Sequence, residues 1–175
     1  DHNYEPLGFD PENISAVLVT HAHLDHCGRL PLLVKNGYPG KIYMTHATKL
    51  LLQLALMDAV KVAMHNHPDR LPMYSENDVQ QTLRLVETVS YDEKILLGKT
   101  EITFKNAGHI LGAASIEIFD GEKRIIFSGD IGNPHQKLLQ SAETLSPSDI
   151  VVMESTYGDR LHPQENAIEQ LAAEI

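Results

Sequence analysis

A short apolar run, Ser15-Ala16-Val17-Leu18-Val19-Thr20, passes directly into His21-Ala22-His23-Leu24-Asp25-His26. That junction constrains the chain more than any other part of it. The β-branched run has the composition of a strand buried on both faces in a parallel sheet. Open α/β sheets place their sites at the carboxyl ends of such strands. The spacing of His21 and His23 lets both imidazoles point the same way from an extended segment. Asp25 and His26, in the turn that follows, can face a second position beside the first. Imidazole and carboxylate without thiolate suit zinc, with manganese or iron as lesser options. A polar loop of satisfied histidines is the bland alternative, but so dense a crowd of these groups is hard to explain without a cation.

The rest of the chain supplies strands and helices in an order that supports a layered α/β fold. Leu30 to Asn36 reads as a short helix stopped by Gly37, and Pro39-Gly40 as a turn. Lys41 to Thr45 reads as a second strand. Ala47 to Met64 is the longest apolar stretch, but Lys49, Gln53, Asp58 and Lys61 draw one polar stripe along it. It is therefore expected to be a mostly buried amphipathic helix and not a membrane span. Ser75-Glu76-Asn77-Asp78 caps another helix, with Val79, Leu83 and Val86 on one face. From Val89 the period changes to two. Strands are expected over Glu101 to Ala107, Ser115 to Phe119, Arg124 to Phe127 and Ile150 to Met153, with a hairpin turn at Asp120-Gly121 and Pro163 opening a terminal helix.

Two further fragments sit at the ends of expected strands: Gly108-His109, in Ala107-Gly108-His109-Ile110-Leu111-Gly112-Ala113-Ala114, and Ser128-Gly129-Asp130. Alone, each is the wording of a turn. In this order after His-x-His-x-Asp-His they resemble the later motifs of the metallo-β-lactamase superfamily, of which the first run resembles the second motif. Glu154-Ser155-Thr156-Tyr157-Gly158 and Thr45-His46-Ala47-Thr48-Lys49 are similar to the β-CASP branch, the group of the cleavage and polyadenylation factor endonuclease subunit and its archaeal and bacterial ribonuclease relatives.

That resemblance implies an αββα sandwich and a zinc-dependent ribonuclease, of endonuclease type, in RNA processing or decay. It implies that His21, His23 and His109 hold one zinc, that Asp25 and His26 hold the other, and that Asp130 bridges both. Asp25, Asp130 and Glu154 would be the catalytic acids, Glu154 by orienting a proton-donating histidine. Two cations ~3.5–4 Å apart would activate a water for in-line attack on a phosphodiester. The superfamily's early Asp motif is not seen in Asp1-His2-Asn3. Residues 1–158 are accordingly expected to be a metallo-β-lactamase-like domain lacking its first strands. Residues 159–175 are expected to begin the connection to an absent β-CASP cap, so that this fragment alone is inactive. Rival functions are a small-molecule hydrolase of the glyoxalase or lactonase type, a DNA-processing nuclease, and a non-catalytic binding subunit.

Composition bears on partners and compartment. With 14 Lys+Arg against 24 Asp+Glu the net charge is −10, so bulk charge does not announce a nucleic-acid partner. Cations at the site would offset this locally and admit RNA. One cysteine, Cys27, excludes a disulfide framework. No basic segment with an apolar follow-on opens the chain, which fits a cytoplasmic protein, or a nuclear one in a eukaryote, without membrane partners; the resemblance implies a homo-oligomer or a place in a processing complex. Among the remaining histidines, His65-Asn66-His67 reads as a cationic helix terminus and His46 as a residue supporting the site. His135 and His162 read as surface loops. Cys27 reads as a small buried thiol, and Met44, Met57, Met64, Met73 and Met153 as gap-fillers.

Overall fold

The computed structural model describes residues 5–66, 68–134, 138–159, 172 and 174. After a single 3-10 turn at Pro11–Asn13 the elements run β1 (Ala16–Leu18), α1 (Leu24–Cys27), α2 (Leu30–Lys35), β2 (Lys41–Thr45), α3 (His46–Asn66), α4 (Glu76–Arg84), β3 (Val86–Val89), β4 (Lys94–Leu97), β5 (Thr100–Asn106), β6 (Ala114–Phe119), β7 (Arg124–Phe127) and β8 (Ile150–Val152). Strands β1-β2-β3 form a parallel sheet, with Val17 opposite Ile42 and Ile42 opposite Val86. Strands β4 to β8 form a second sheet in sequence order, antiparallel except for the β7–β8 pair.

The side-chain alternation of β2 shows how the layers stack. Ile42 and Met44 enter the core shared with the helices, alongside Cys27, Leu30, Leu33, Leu52, Leu56 and Val79. Tyr43, between them, joins Val89 in a second core against Ile102, Phe104, Ala114 and Ile116 of the other sheet. A strand whose two faces are both buried is apolar throughout, which explains the run at Ser15–Thr20 as well. The described residues thus form helix, sheet and sheet layers of the expected sandwich. Pro163 lies outside them.

Two expectations need correction. Helix α3 buries a single line of residues, Thr48, Leu52, Leu56 and Val60, while Leu50, Leu54, Val62 and Met64 are exposed. It is not mostly buried, because only one side of it meets the sheet. Val86 does not extend the face of α4: the helix ends at Arg84, and Val86 opens β3 beside Ile42. The N-terminus of α4 is as expected, with Ser75 and Asp78 in a reciprocal capping box. Met64 and Met153 are exposed and fill no gap, unlike the fully buried Met44. Among the described residues, no helix is long and apolar enough to cross a membrane.

Candidate metal centre

Strands β1, β5, β7 and β8 all point their carboxyl ends at one edge, so the loops after them converge there. His21 and His23 follow β1, His109 follows β5, Asp130 follows β7 and Glu154 follows β8. The two sheets are joined at this edge by Ala114 N–H donating to Thr20 O at 2.8 Å.

Donor atoms of His21, His23, His109 and Asp130 all lie within 4.8 Å of one another. His23 Nδ1 stands 3.1 Å from His21 Nε2 and 3.1 Å from His109 Nε2. Asp130 Oδ2 stands 3.6 Å from His21 Nε2 and 3.5 Å from His109 Nε2. Four donors at about 2.0–2.1 Å around a tetrahedral cation stand roughly 3.3 Å from one another. The four separations given lie near that value, so the donor set is compatible with a cation held among these residues. Asp130 Oδ1 faces the other way, 3.2 Å from His26 Nε2, which is itself 3.4 Å from Asp25 Oδ2. The carboxylate therefore divides its two oxygens between two groups of donors. Asp25 and His26 lie on the short helix α1, not in an irregular turn, and Asp25 is 79% exposed.

The site is built to present lone pairs. His21 is fully buried, and burial, helped by the neighbouring His26, pushes its imidazole down to about 4. It is neutral at pH 7. Its Nδ1 lies 3.1 Å from Thr20 Oγ1; a proton donated there leaves Nε2 free toward the cluster. Gly129, at φ +57, lets the Asp130 loop cross Thr20, since a Cβ would stand 2.8 Å from Thr20 Cβ. The Ser128 carbonyl accepts from Ser115 Oγ at 2.7 Å, and Ser128 Oγ accepts from Glu154 N–H at 3.1 Å. Glu154 accepts Ile131 N–H at 2.6 Å, and that bond holds its carboxyl below the usual carboxylate range.

The His109 loop is clasped from the other sheet. Gly112 O accepts from Thr45 Oγ1 at 2.7 Å and Thr48 Oγ1 at 2.9 Å, while Thr48 N–H donates to Thr45 Oγ1 at 3.2 Å. Sequence reasoning missed Thr20, Ser128 and this threonine clasp as supports of the site. The adjacency of Thr20 to His21 was the one readable signal. His46 is exposed and stands outside the cluster, opening α3. His65 lies in the last turn of α3, as expected; His67, His135 and His162 lie outside the described residues. Cys27 is buried, and burial pushes its thiol up to about 12.

The model of one protein family, described as the metallo-beta-lactamase superfamily, matches residues 1–160. A ribonuclease of Thermus thermophilus is 42% identical over 161 residues, covering 91% of this chain and 36% of that protein. Cleavage and polyadenylation specificity factor subunit 3 of Dictyostelium discoideum is 34% identical over 161 residues, covering 91% of this chain and 21% of that protein. A solved metallo-beta-lactamase structure from Cronobacter sakazakii, carrying a HARLDQ motif, aligns with a TM-score of 0.51 at 21% identity, over 78% of this chain and 49% of that one. This last likeness speaks for the fold alone. The chain spans little more than a third of the length of the Thermus relative and about a fifth of the Dictyostelium one.

Proposed function

The chain belongs to the metallo-beta-lactamase superfamily, and from that membership we propose that it is the metal-binding part of a zinc-dependent ribonuclease of the β-CASP branch, an endonuclease of RNA processing or decay. The observation that carries the reading is the division of Asp130, with Oδ2 toward His21 and His109 and Oδ1 toward His26. Its relatives include proteins named as a ribonuclease and as a polyadenylation factor subunit, which supports RNA as the substrate class. Residues 1–158 would be the catalytic domain in part, and 159–175 the start of the connection to a β-CASP domain. The protein would work in the cytoplasm, or in a eukaryotic nucleus, as a homo-oligomer or within a processing complex.

In this reading His21, His23 and His109 hold one zinc, Asp25 and His26 the other, and Asp130 lies between them. Two divalent cations held by these residues would supply a water of pKa near ~7 and charge stabilisation for an in-line displacement. The protein's own groups do the rest. Thr20 sets the His21 ring so that Nε2 faces the centre. The Asp130 charge offsets part of the positive charge and orients a water proton at its carboxylate. Glu154, by accepting from Ile131 N–H, steadies the loop that carries Asp130, and by the family resemblance it would orient a proton-donating histidine of the β-CASP domain.

The test is cleavage of end-labelled single-stranded RNA by the whole protein. Zinc should support cleavage, a chelator should stop it, and returning zinc should restore it. Hydrolysis of a lactone or thioester with RNA left intact would overturn the ribonuclease reading, as would cleavage of single-stranded DNA alone.

A further inference from the structure

We propose that Asn106 is a positioning residue for the metal centre, its side-chain amide fixing the turn on which His109 enters the cluster; this rests on the metal-binding reading above. Of the three histidines in the cluster, only His109 follows a strand of the larger sheet. The residue before it is Gly108, with φ +64. Glycine rotates more freely than any other residue, so directly before a donor it is a hinge unless the peptides around it are held.

Asn106 supplies that hold. Its Oδ1 accepts from Gly108 N–H at 2.9 Å. A backbone N–H can only donate, so the side-chain amide must present its oxygen there. The bond closes a local side-chain-to-backbone turn and fixes the plane of the peptide that leads into Gly108. Ala107, between the two, is pinned on both sides: its N–H donates to Ala113 O at 3.0 Å and its carbonyl accepts from Gly132 N–H at 2.9 Å. The crossing chain confines the glycine itself, since a Cβ there would stand 2.8 Å from Gln140 O and 2.7 Å from Ala142 N. Asn106 in turn stands on a braced strand end. It is the last residue of β5, opposite Ala114 of β6. Its carbonyl accepts from Glu143 N–H at 2.8 Å, and its N–H donates to Glu143 Oε1 at 3.4 Å. Site groups must be held to within about 0.5 Å of productive geometry. What this bracing sets is His109 Nε2, 3.1 Å from His23 Nδ1 and 3.5 Å from Asp130 Oδ2.

Asn106→Ala removes the acceptor. The readout is the zinc affinity of the whole apoprotein, in competition with a chromophoric chelator, and it should fall about tenfold or more. Asn106→Asp, the other residue suited to this turn, should bind zinc within about threefold of the parent. Lys105, 3.9 Å from Glu143, offsets the added charge. With cobalt(II) in place of zinc, the visible spectrum should change shape in Asn106→Ala and match the parent in Asn106→Asp. Ser75→Ala loses a hydrogen bond in the helix layer, outside the cluster; it controls for stability alone and should bind zinc as the parent does. Should Asn106→Ala fail to fold by circular dichroism, Asn106→Ser, whose hydroxyl makes the same turn more weakly, carries the test with a smaller loss. Unchanged affinity in the folded variant, no recovery in Asn106→Asp, an equal loss in Ser75→Ala, or a parent that binds no zinc overturns the proposal. A parent that binds zinc and cuts RNA, with affinity indifferent to Asn106, keeps the ribonuclease reading and loses this one. A parent whose zinc affinity depends on Asn106 but which cuts no RNA does the reverse.

Discussion

The parallel sheet β1-β2-β3 is enclosed, with helices on one face and the second sheet on the other. The larger sheet buries its inner face but ends in β8, whose Ile150, Val151 and Val152 are 48%, 55% and 50% exposed. What each sheet brings to the metal centre follows the same division. The enclosed sheet delivers His21, fully buried and kept neutral by that burial. The larger one delivers His109 and Asp130, at 25% and 24% exposure, on loops held by hydrogen bonds at the protein's edge. The buried, neutral His21 comes from the enclosed sheet, and His109 and Asp130 come from the boundary, where solvent reaches them.

The strongest way to break this comparison is to separate the sheets. Phe104 of β5 is fully buried between them. Phe104→Ala should cost about 3–5 kcal/mol of folding free energy, read by urea denaturation; a cost below 1 kcal/mol would mean that the sheets do not depend on each other. Next is Asp130→Ala, which removes the group shared by the two sets of donors. In the whole protein it should reduce RNA cleavage at least about 100-fold, with the circular dichroism spectrum unchanged. Near-normal turnover would show that the boundary carboxylate is not what the site uses. A smaller effect is expected from Gly112→Ala, which attacks the clasp between the sheets. Gly112 has φ +83, and an added Cβ would stand 2.5 Å from Thr48 N. The strain and the displaced loop should cost roughly 1–3 kcal/mol. They should also weaken zinc binding, because His109 rides on that loop. A thermal melt with and without zinc checks both halves.

The local parts of this structure were legible in the sequence, and the convergent parts were not. The strand before His21, the strand Lys41–Thr45, the capping box at Ser75 and the hairpin at Asp120-Gly121 each depend on neighbours a few residues away, and each is where the pattern put it. Val86 was misread because its spacing from Val79 and Leu83 suits a helix. Its partner Ile42 is more than 40 residues distant, and no local pattern reports that pairing. Helix α3 was read as buried because it is apolar nearly all round, but burial depends on what packs beside it. The meeting of His23 with His109, 86 residues apart, was not predictable from spacing at all. It came from the family resemblance of motifs that are individually weak. Thr45 and Thr48 stand in a run that resembles the branch, but their clasping role has no local signal, since it exists only once Gly112 is brought across from the other sheet.

The helix layer that encloses the parallel sheet is also held by local bonds at its rim, and the smallest predicted effect lies there. Ser75 Oγ accepts from Asp78 N–H at 3.3 Å, and Asp78 Oδ2 accepts from Ser75 N–H at 2.7 Å. That second bond holds the Asp78 carboxyl below the usual aspartate range. A depressed folded-state pKa means that the unfolded chain takes up the proton first. The box therefore stabilises the fold above the ordinary aspartate pKa of about 3.9 and is lost as pH falls through the lower folded value. Ser75→Ala should cost about 1 kcal/mol at pH 7. The gap between variant and parent should narrow in urea titrations carried toward pH 3, because protonated Asp78 no longer accepts strongly in either protein. A gap independent of pH would mean that the serine acts through its bond from Asp78 N–H, and that this edge of the enclosed sheet owes nothing to its carboxylate.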